Sequence, residues 1–149
     1  MNTETNTATT TKISQEVKII SSTELLNYAQ MFKNDNCRLI HIGAAKIADK
    51  FELTYAFDKE YTYSGIKVII DIPSDGSNEN NKIIPELNSI SDFFWCAFLY
   101  ENEIAELFGI KFNGLKLDYK GNFYKTAFKT PFNNPMANKK IDIIRTPKK

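Results

Sequence analysis

Cysteine and histidine are scarce in this chain. Its 149 residues include two cysteines, Cys37 and Cys96, and one histidine, His41. The thiols lie far apart and form no Cys-x-x-Cys pair, so the chain cannot supply the four ligands of an iron–sulfur cluster or the paired motifs of a [NiFe] centre. They read as core thiols of a reduced protein, not as a disulfide framework. His41 falls in a predicted strand without an acidic or nucleophilic companion and reads as structural. The six glycines build no phosphate-binding loop. The longest uninterrupted apolar run, Phe93 to Tyr100, is far shorter than the roughly 20 residues a helix needs to cross a bilayer. Residues 1–11, rich in Thr and Asn, lack the basic and apolar segments of a secretion signal and are expected to be solvated and disordered. A cytoplasmic location is therefore expected, with no cofactor and no metal bound by this chain.

What is present suits a single folded domain. Apolar residues make up 42% of the chain and aromatics 13%, enough for one core at this length. The net charge of +1 hides an asymmetry: from Asn113 onward nine basic residues face two acidic ones, while the preceding part is net −6. The domain is expected over residues 12–114. Residues 115–149, with Pro131, Pro135 and Pro147, read as an extended basic C-terminal arm.

Periodicity predicts an α+β, two-layer domain with a mainly antiparallel sheet and two helices. Ile13, Val17 and Ile19 give a weak strand signal between Lys12 and Ile20. Ser22 or Thr23 can cap a helix through Lys33, with Leu25, Leu26, Ala29 and Phe32 on one stripe, ended by Asn34-Asp35-Asn36. A second strand is expected over Arg38–Ala44, with Leu39 and His41 facing one way and Ile40 and Ile42 the other. Phe51, Leu53, Tyr55 and Phe57 alternate with polar or small residues, and Ile66, Val68, Ile70 and Ile72 alternate again. These two strands predict an antiparallel hairpin with its turn near Ser64-Gly65. Pro73 stops the second of them, and Ser74 to Asn81 reads as a loop around Asp75-Gly76. Ser89, with Asp92 in a capping-box arrangement, is expected to open the second helix, and Gly109 to end it. Ile110–Phe112 reads as a short strand.

The second helix is the candidate functional element. Phe94, Ala97, Phe98, Glu101, Ile104, Ala105 and Phe108 share one face, yet Trp95, Leu99 and Leu107 lie elsewhere. Such a helix is apolar on more sides than a small sheet can cover, so an outside partner is expected on the other. Glu101 lies within the apolar face, and Glu103 and Glu106 add acid near the helix C-terminus, where the dipole favours cations. Two readings stand for these acids: a partner's basic group relieves them, or they form a solvated face with Glu101 reaching the rim. The candidate interface comprises Phe94, Trp95, Phe98, Glu101, Asn102, Glu103, Glu106, Phe108, Gly109 and Phe112.

The run Tyr100-Glu101-Asn102-Glu103-Ile104-Ala105-Glu106-Leu107-Phe108-Gly109-Ile110-Lys111-Phe112-Asn113-Gly114 resembles the signature of the 30 kDa (C) subunit of respiratory complex I. That signature reads roughly Y-E-R-E-x-x-D-L/M-F-G-I-x-F-x-G. The order of elements upstream agrees, and the likeness spans about residues 12–114. Asn102 stands where that family usually has Arg, and Leu115-Lys116-Leu117-Asp118 replaces its usual His-Pro-Asp-Leu. These departures and the short length look more like the corresponding subunit of Ech-type, membrane-bound [NiFe] hydrogenases. The resemblance implies a non-catalytic peripheral subunit packed on a large catalytic (49 kDa-like) subunit beside a small iron–sulfur subunit. The [NiFe] centre and iron–sulfur clusters would lie in those partners, and the membrane would be reached only through the complex. A complex I-like NADH/quinone oxidoreductase is the alternative. From the residues alone, a nucleic-acid-binding module stacking bases on Tyr119, Phe123, Tyr124 and Phe128 is a distant alternative, disfavoured by the acidic body. An independent enzyme lacks a visible nucleophile, base or metal set.

Overall fold

The structure, a computed structural model, describes residues 17–72 and 84–133. Its elements are β1 (Val17–Ile20), a short 3-10 turn (Ser22–Glu24), α1 (Leu25–Asn34), β2 (Arg38–Ile47), β3 (Lys50–Lys59), β4 (Thr62–Asp71), β5 (Glu86–Asn88), α2 (Ala97–Phe108) and β6 (Lys111–Asn113). Four strands form one sheet in the order β1-β4-β3-β2, and β5 pairs with β6 in a second, two-stranded sheet. Only β1–β4 and β5–β6 are parallel. The α+β, mainly antiparallel architecture agrees with the periodicity.

Period-two alternation in β3 and β4 fixes the core. Phe51, Leu53, Tyr55 and Phe57 all point inward and are fully buried. Register places Leu53 opposite Val68 and Tyr55 opposite Ile66, so the apolar sets of both strands fall on one face. Onto that face α1 lays Leu25, Ala29 and Phe32, with Phe32 stacked on Phe57 at 4.2 Å between ring centroids. The turns before α2 add Phe94, against Phe57 at 5.2 Å, and α2 itself adds Phe108, edge-on to Phe51 at 5.9 Å. Each such side chain contributes about 1.5–3 kcal/mol by leaving water. The opposite sheet face carries the Glu52–Lys67 ion pair, with Val17 and Ile19 exposed beside it.

The structure departs from the expected pattern in five places. The β3–β4 turn is Glu60-Tyr61, both at positive φ (49° and 67°), because Lys59 pairs directly with Thr62. Ser64 and Gly65 lie inside β4 instead, where Gly65 lets β1 approach: a Cβ there would meet Val17 Cγ2 at 3.0 Å. Strand β2 extends to Ile47, and a bulge between Leu39 and His41 takes Ile40 out of register. Leu39 and Ile42 consequently oppose core residues Phe57 and Tyr55, whereas His41 opposes Ala56 and is exposed. Ser21, not Ser22 or Thr23, caps the first helical segment, in a capping box with Glu24.

The fifth departure concerns α2, which starts at Ala97 and not at Ser89. Residues 89–96 are successive turns after β5, and Ser89 N–H donates to Asn113 O, extending the β5–β6 pairing. Asp92 forms no capping box; it pairs with Lys116. Cys96, at the helix N-cap, is exposed, so only Cys37 behaves as the expected core thiol. Gly109 ends α2 in the left-handed conformation, as expected (φ 78°). The Asp75-Gly76 loop, the stop at Pro73, Ile13 and the arm beyond Asn133 lie outside the described residues.

Two adjacent left-handed residues without glycine or asparagine cost about 1–2 kcal/mol each. Replacing Glu60-Tyr61 by Asn-Gly should raise unfolding stability by about 1–2 kcal/mol, read as a higher denaturant midpoint with unchanged m-value. Tyr61 is fully exposed, so no packing is lost.

Candidate functional site

Helix α2 has two working faces. Ala97, Glu101, Ile104 and Phe108, spaced by three and four, form the buried inner stripe. Trp95, which precedes the helix, and Phe98, Leu99, Asn102, Glu103 and Glu106 run down the outer side. A strap of the same chain, residues 115–124, lies along that outer side.

Glu101 is 0% exposed and forms no ion pair among the described residues. Its carboxylate accepts from Ser89 Oγ–H at 2.5 Å and from Ile90 N–H at 2.8 Å. Ser89 Oγ also accepts from Ser91 N–H, its hydroxyl lies 2.6 Å from that of Ser91, and Ser91 Oγ accepts from Lys116 N–H at 3.1 Å. A continuous hydrogen-bond chain thus links the core carboxylate to the start of the strap. Burial raises the Glu101 pKa above its ordinary value, opposed by the Ser89 and Ile90 hydrogen bonds. Burial also pushes the Tyr55 phenol well up, reinforced by the Glu101 charge, and Tyr55 Oη has no hydrogen-bond partner among the described residues. Glu101 does not reach the rim, and each of its carboxylate oxygens has a donor inside this chain.

The strap is held by side chains of α2. Asn102 acts as a surrogate strand, donating to Leu117 O at 2.7 Å and accepting from Tyr119 N–H at 2.8 Å. Glu106 accepts from the N–H groups of Phe123 at 2.7 Å and Tyr124 at 3.1 Å. Glu103 accepts from Tyr124 Oη at 2.8 Å, which raises the Tyr124 pKa above its ordinary value. Farther on, Phe132 N–H donates to Leu107 O, and Phe132 lies edge-on to Phe108 at 5.3 Å. The rings form a ladder from Trp95 to Phe98 (5.2 Å), Tyr119 (6.4 Å), Phe123 (5.4 Å) and Tyr124 (4.7 Å). The aromatic residues weighed for stacking nucleic-acid bases are in this way committed in part to α2.

The ten candidate interface residues therefore divide. Phe94, Glu101, Asn102, Phe108 and Phe112 are buried in the chain's own interior and offer little surface. Gly109 is the helix stop, where a Cβ would meet Thr130 Cγ2 at 2.8 Å. Phe98, Glu103 and Glu106 are partly exposed, and Trp95 is 62% exposed. Leu99, Leu117, Tyr119 and Tyr124, absent from the expected set, are exposed beside it. The signal of the last three was weak because the strap has no period of its own.

The family model for the respiratory-chain NADH dehydrogenase 30 kDa subunit matches residues 18–135. The chain belongs to that family. Among solved structures, a chain of the membrane-bound sulfane sulfur reductase, an archaeal respiratory membrane complex, is similar with a TM-score of 0.66. Sequence identity is 16%, covering 93% of this chain and 86% of that one. No curated protein matches the sequence. In this complex I 30 kDa-like subunit the signature is largely explained by the fold. Tyr100 Oη donates to Ile40 O at the β2 bulge, Glu101 anchors the turn before α2, Asn102 and Glu106 bind the strap, and Phe108 and Phe112 fill the core.

The geometry yields three predictions. Glu101→Leu strands the Ser89 hydroxyl and Ile90 N–H and should cost about 2–3 kcal/mol of unfolding free energy, whereas Glu101→Gln keeps an acceptor and costs less. Because the folded pKa is raised, the folded state binds the proton more tightly, and stability is lost as pH rises through that pKa. The stability of wild type relative to Glu101→Gln should therefore increase as pH falls from 7 toward about 4.5, measured by urea titration. Glu106→Ala removes the acceptor of two strap amides; amide exchange at Phe123 and Tyr124 should accelerate at least about tenfold while the β3 amides stay protected.

Proposed function

We propose that the chain is the non-catalytic peripheral subunit of a membrane-bound, energy-converting [NiFe] hydrogenase of the Ech type. It docks on the large catalytic subunit, next to the small iron–sulfur subunit, on the cytoplasmic side of the membrane. Those partners carry the [NiFe] centre and the iron–sulfur clusters, reduce protons with electrons from ferredoxin, and couple this to ion translocation in the membrane subunits. The present chain contributes surface and shape, not redox chemistry.

The observation that carries this reading is the pairing of Asn102 with the 115–124 strap. A short amide can bind Leu117 O and Tyr119 N–H together. A guanidinium carries no acceptor and could not take the Tyr119 N–H. The two departures from the complex I signature, at Asn102 and after Gly114, are therefore one structural feature, which supports a branch apart from the quinone-reducing enzymes. The fold likeness to a chain of an archaeal sulfane sulfur reductase complex favours a second reading, in which the same kind of subunit serves a sulfur-reducing assembly. A complex I-like NADH/quinone oxidoreductase is the remaining alternative.

Purification of the tagged chain from its native membranes should bring down a large subunit with paired Cys-x-x-Cys motifs and a small iron–sulfur subunit. Deleting the chain should abolish ferredoxin-dependent hydrogen evolution by those membranes. A monodisperse monomer, with full hydrogenase assembly in the deletion strain, would overturn the proposal. Sulfane sulfur or quinone reduction by the purified complex would select the corresponding alternative.

A further inference from the structure

The inner side of α2 is closed by the sheet and part of its outer side by the strap, which leaves the ring ladder from Trp95 to Tyr124 as a partly uncovered apolar strip. Trp95 is 62% exposed and Leu99 43% exposed. Along the same side lie Glu103 and Glu106, whose carboxylates accept only from neutral groups, the Tyr124 hydroxyl and the Phe123 and Tyr124 amides. Neither forms an ion pair among the described residues, although six other carboxylates do. Both sit in the last half of α2, where the backbone carbonyls add negative potential and no basic side chain occupies the final turn. Aromatic faces beside unneutralised carboxylates are complementary to a planar, weakly hydrated cation.

We propose that this strip is the docking face for a partner protein and that it receives a segment carrying arginine. The guanidinium plane stacks on the exposed rings while its N–H groups reach Glu103 and Glu106. The choice of guanidinium over ammonium follows from its ability to stack flat and to bind a carboxylate through two parallel hydrogen bonds. This rests on the subunit reading above and adds to it the face used and the chemistry of the group received. The opposite, open sheet face, marked by Ile19, is not the docking face.

The test uses the complex isolated through the tagged full-length chain, with benzoylphenylalanine placed at position 95 or, as a control, at position 19. Illumination is expected to join position 95 to a partner-subunit peptide with arginine next to the adduct, and position 19 to give little product. Trp95→Ala is tolerated by the fold because the side chain is mostly in water, and it should weaken retention of the chain in the complex by about thirtyfold or more. Glu103→Gln keeps the hydrogen bond from Tyr124 and removes only the charge. It should weaken retention about tenfold at low salt, with the difference largely lost near 1 M salt. Adducts from position 19 but not from 95, unchanged retention in both variants, an adduct peptide without a basic residue, or an adduct to nucleic acid would each overturn the docking proposal while leaving subunit membership standing. A tagged chain that purifies alone would overturn both.

Discussion

A helix that is apolar on two sides has to be covered on two sides, and the structure of this chain follows from how α2 meets that demand. The four-stranded sheet can take one face, through Ala97, Ile104 and Phe108. A second cover has to come from irregular chain, whose backbone N–H and C=O groups then need partners along the body of a helix, where the backbone groups are already paired. Asn102 and Glu106 supply them, Glu103 takes the Tyr124 hydroxyl, and the three are spaced to lie along one side. The polar residues of α2 are thus the condition for covering its apolar ones.

Glu101 applies the same logic to the interior. A carboxylate with no counter-charge in the core is costly by itself, and only its two hydrogen bonds to the turn before α2 make it tolerable. In return it fixes the geometry of residues 89–91, a stretch with no regular structure that joins β5 to α2. Through Ser89 and Ser91 the same network reaches Lys116, so the entry to the helix and the start of the strap are registered against one another. Burial raises the pKa of Glu101, and the hydrogen bonds of this anchoring oppose the shift. A family signature can in this way be dense in charged residues and still encode architecture.

The central hairpin was legible without coordinates because Phe51, Leu53, Tyr55, Phe57, Ile66 and Val68 repeat with the period of a pleated strand, and burial follows the period directly. Gly109 was legible because only a left-handed residue ends a helix in that manner. The turn at Glu60-Tyr61 was not, since neither residue favours positive φ and the paired strands impose it. Ser89 and Asp92 presented a sound capping pattern, but Ser89 is claimed by Glu101 and Asp92 by Lys116, both distant in sequence. Local propensity loses to such contacts because each satisfies a group that would otherwise be buried or exposed at greater cost. At the site, Trp95 was readable as an apolar residue off the inner face, whereas Tyr119 and Tyr124 lie in a stretch with no period from which to place them.

By itself the sequence determined the class of the fold, the family signature around Tyr100–Gly114 and the excess of apolar surface on the second helix, because all three are written in local spacing. Tertiary structure alone decided what the acids of that helix do. Spacing placed Glu101, Glu103 and Glu106 near one another and left them looking like a single cluster awaiting a cation. The fold separates them: Glu101 turns inward to Ser89 and Ile90, Glu106 binds the strap, and Glu103 touches the strap only through one hydroxyl. The physical reason is that a carboxylate's role is set by which donors reach it, and those donors arrive from segments 11 to 21 residues away in the chain.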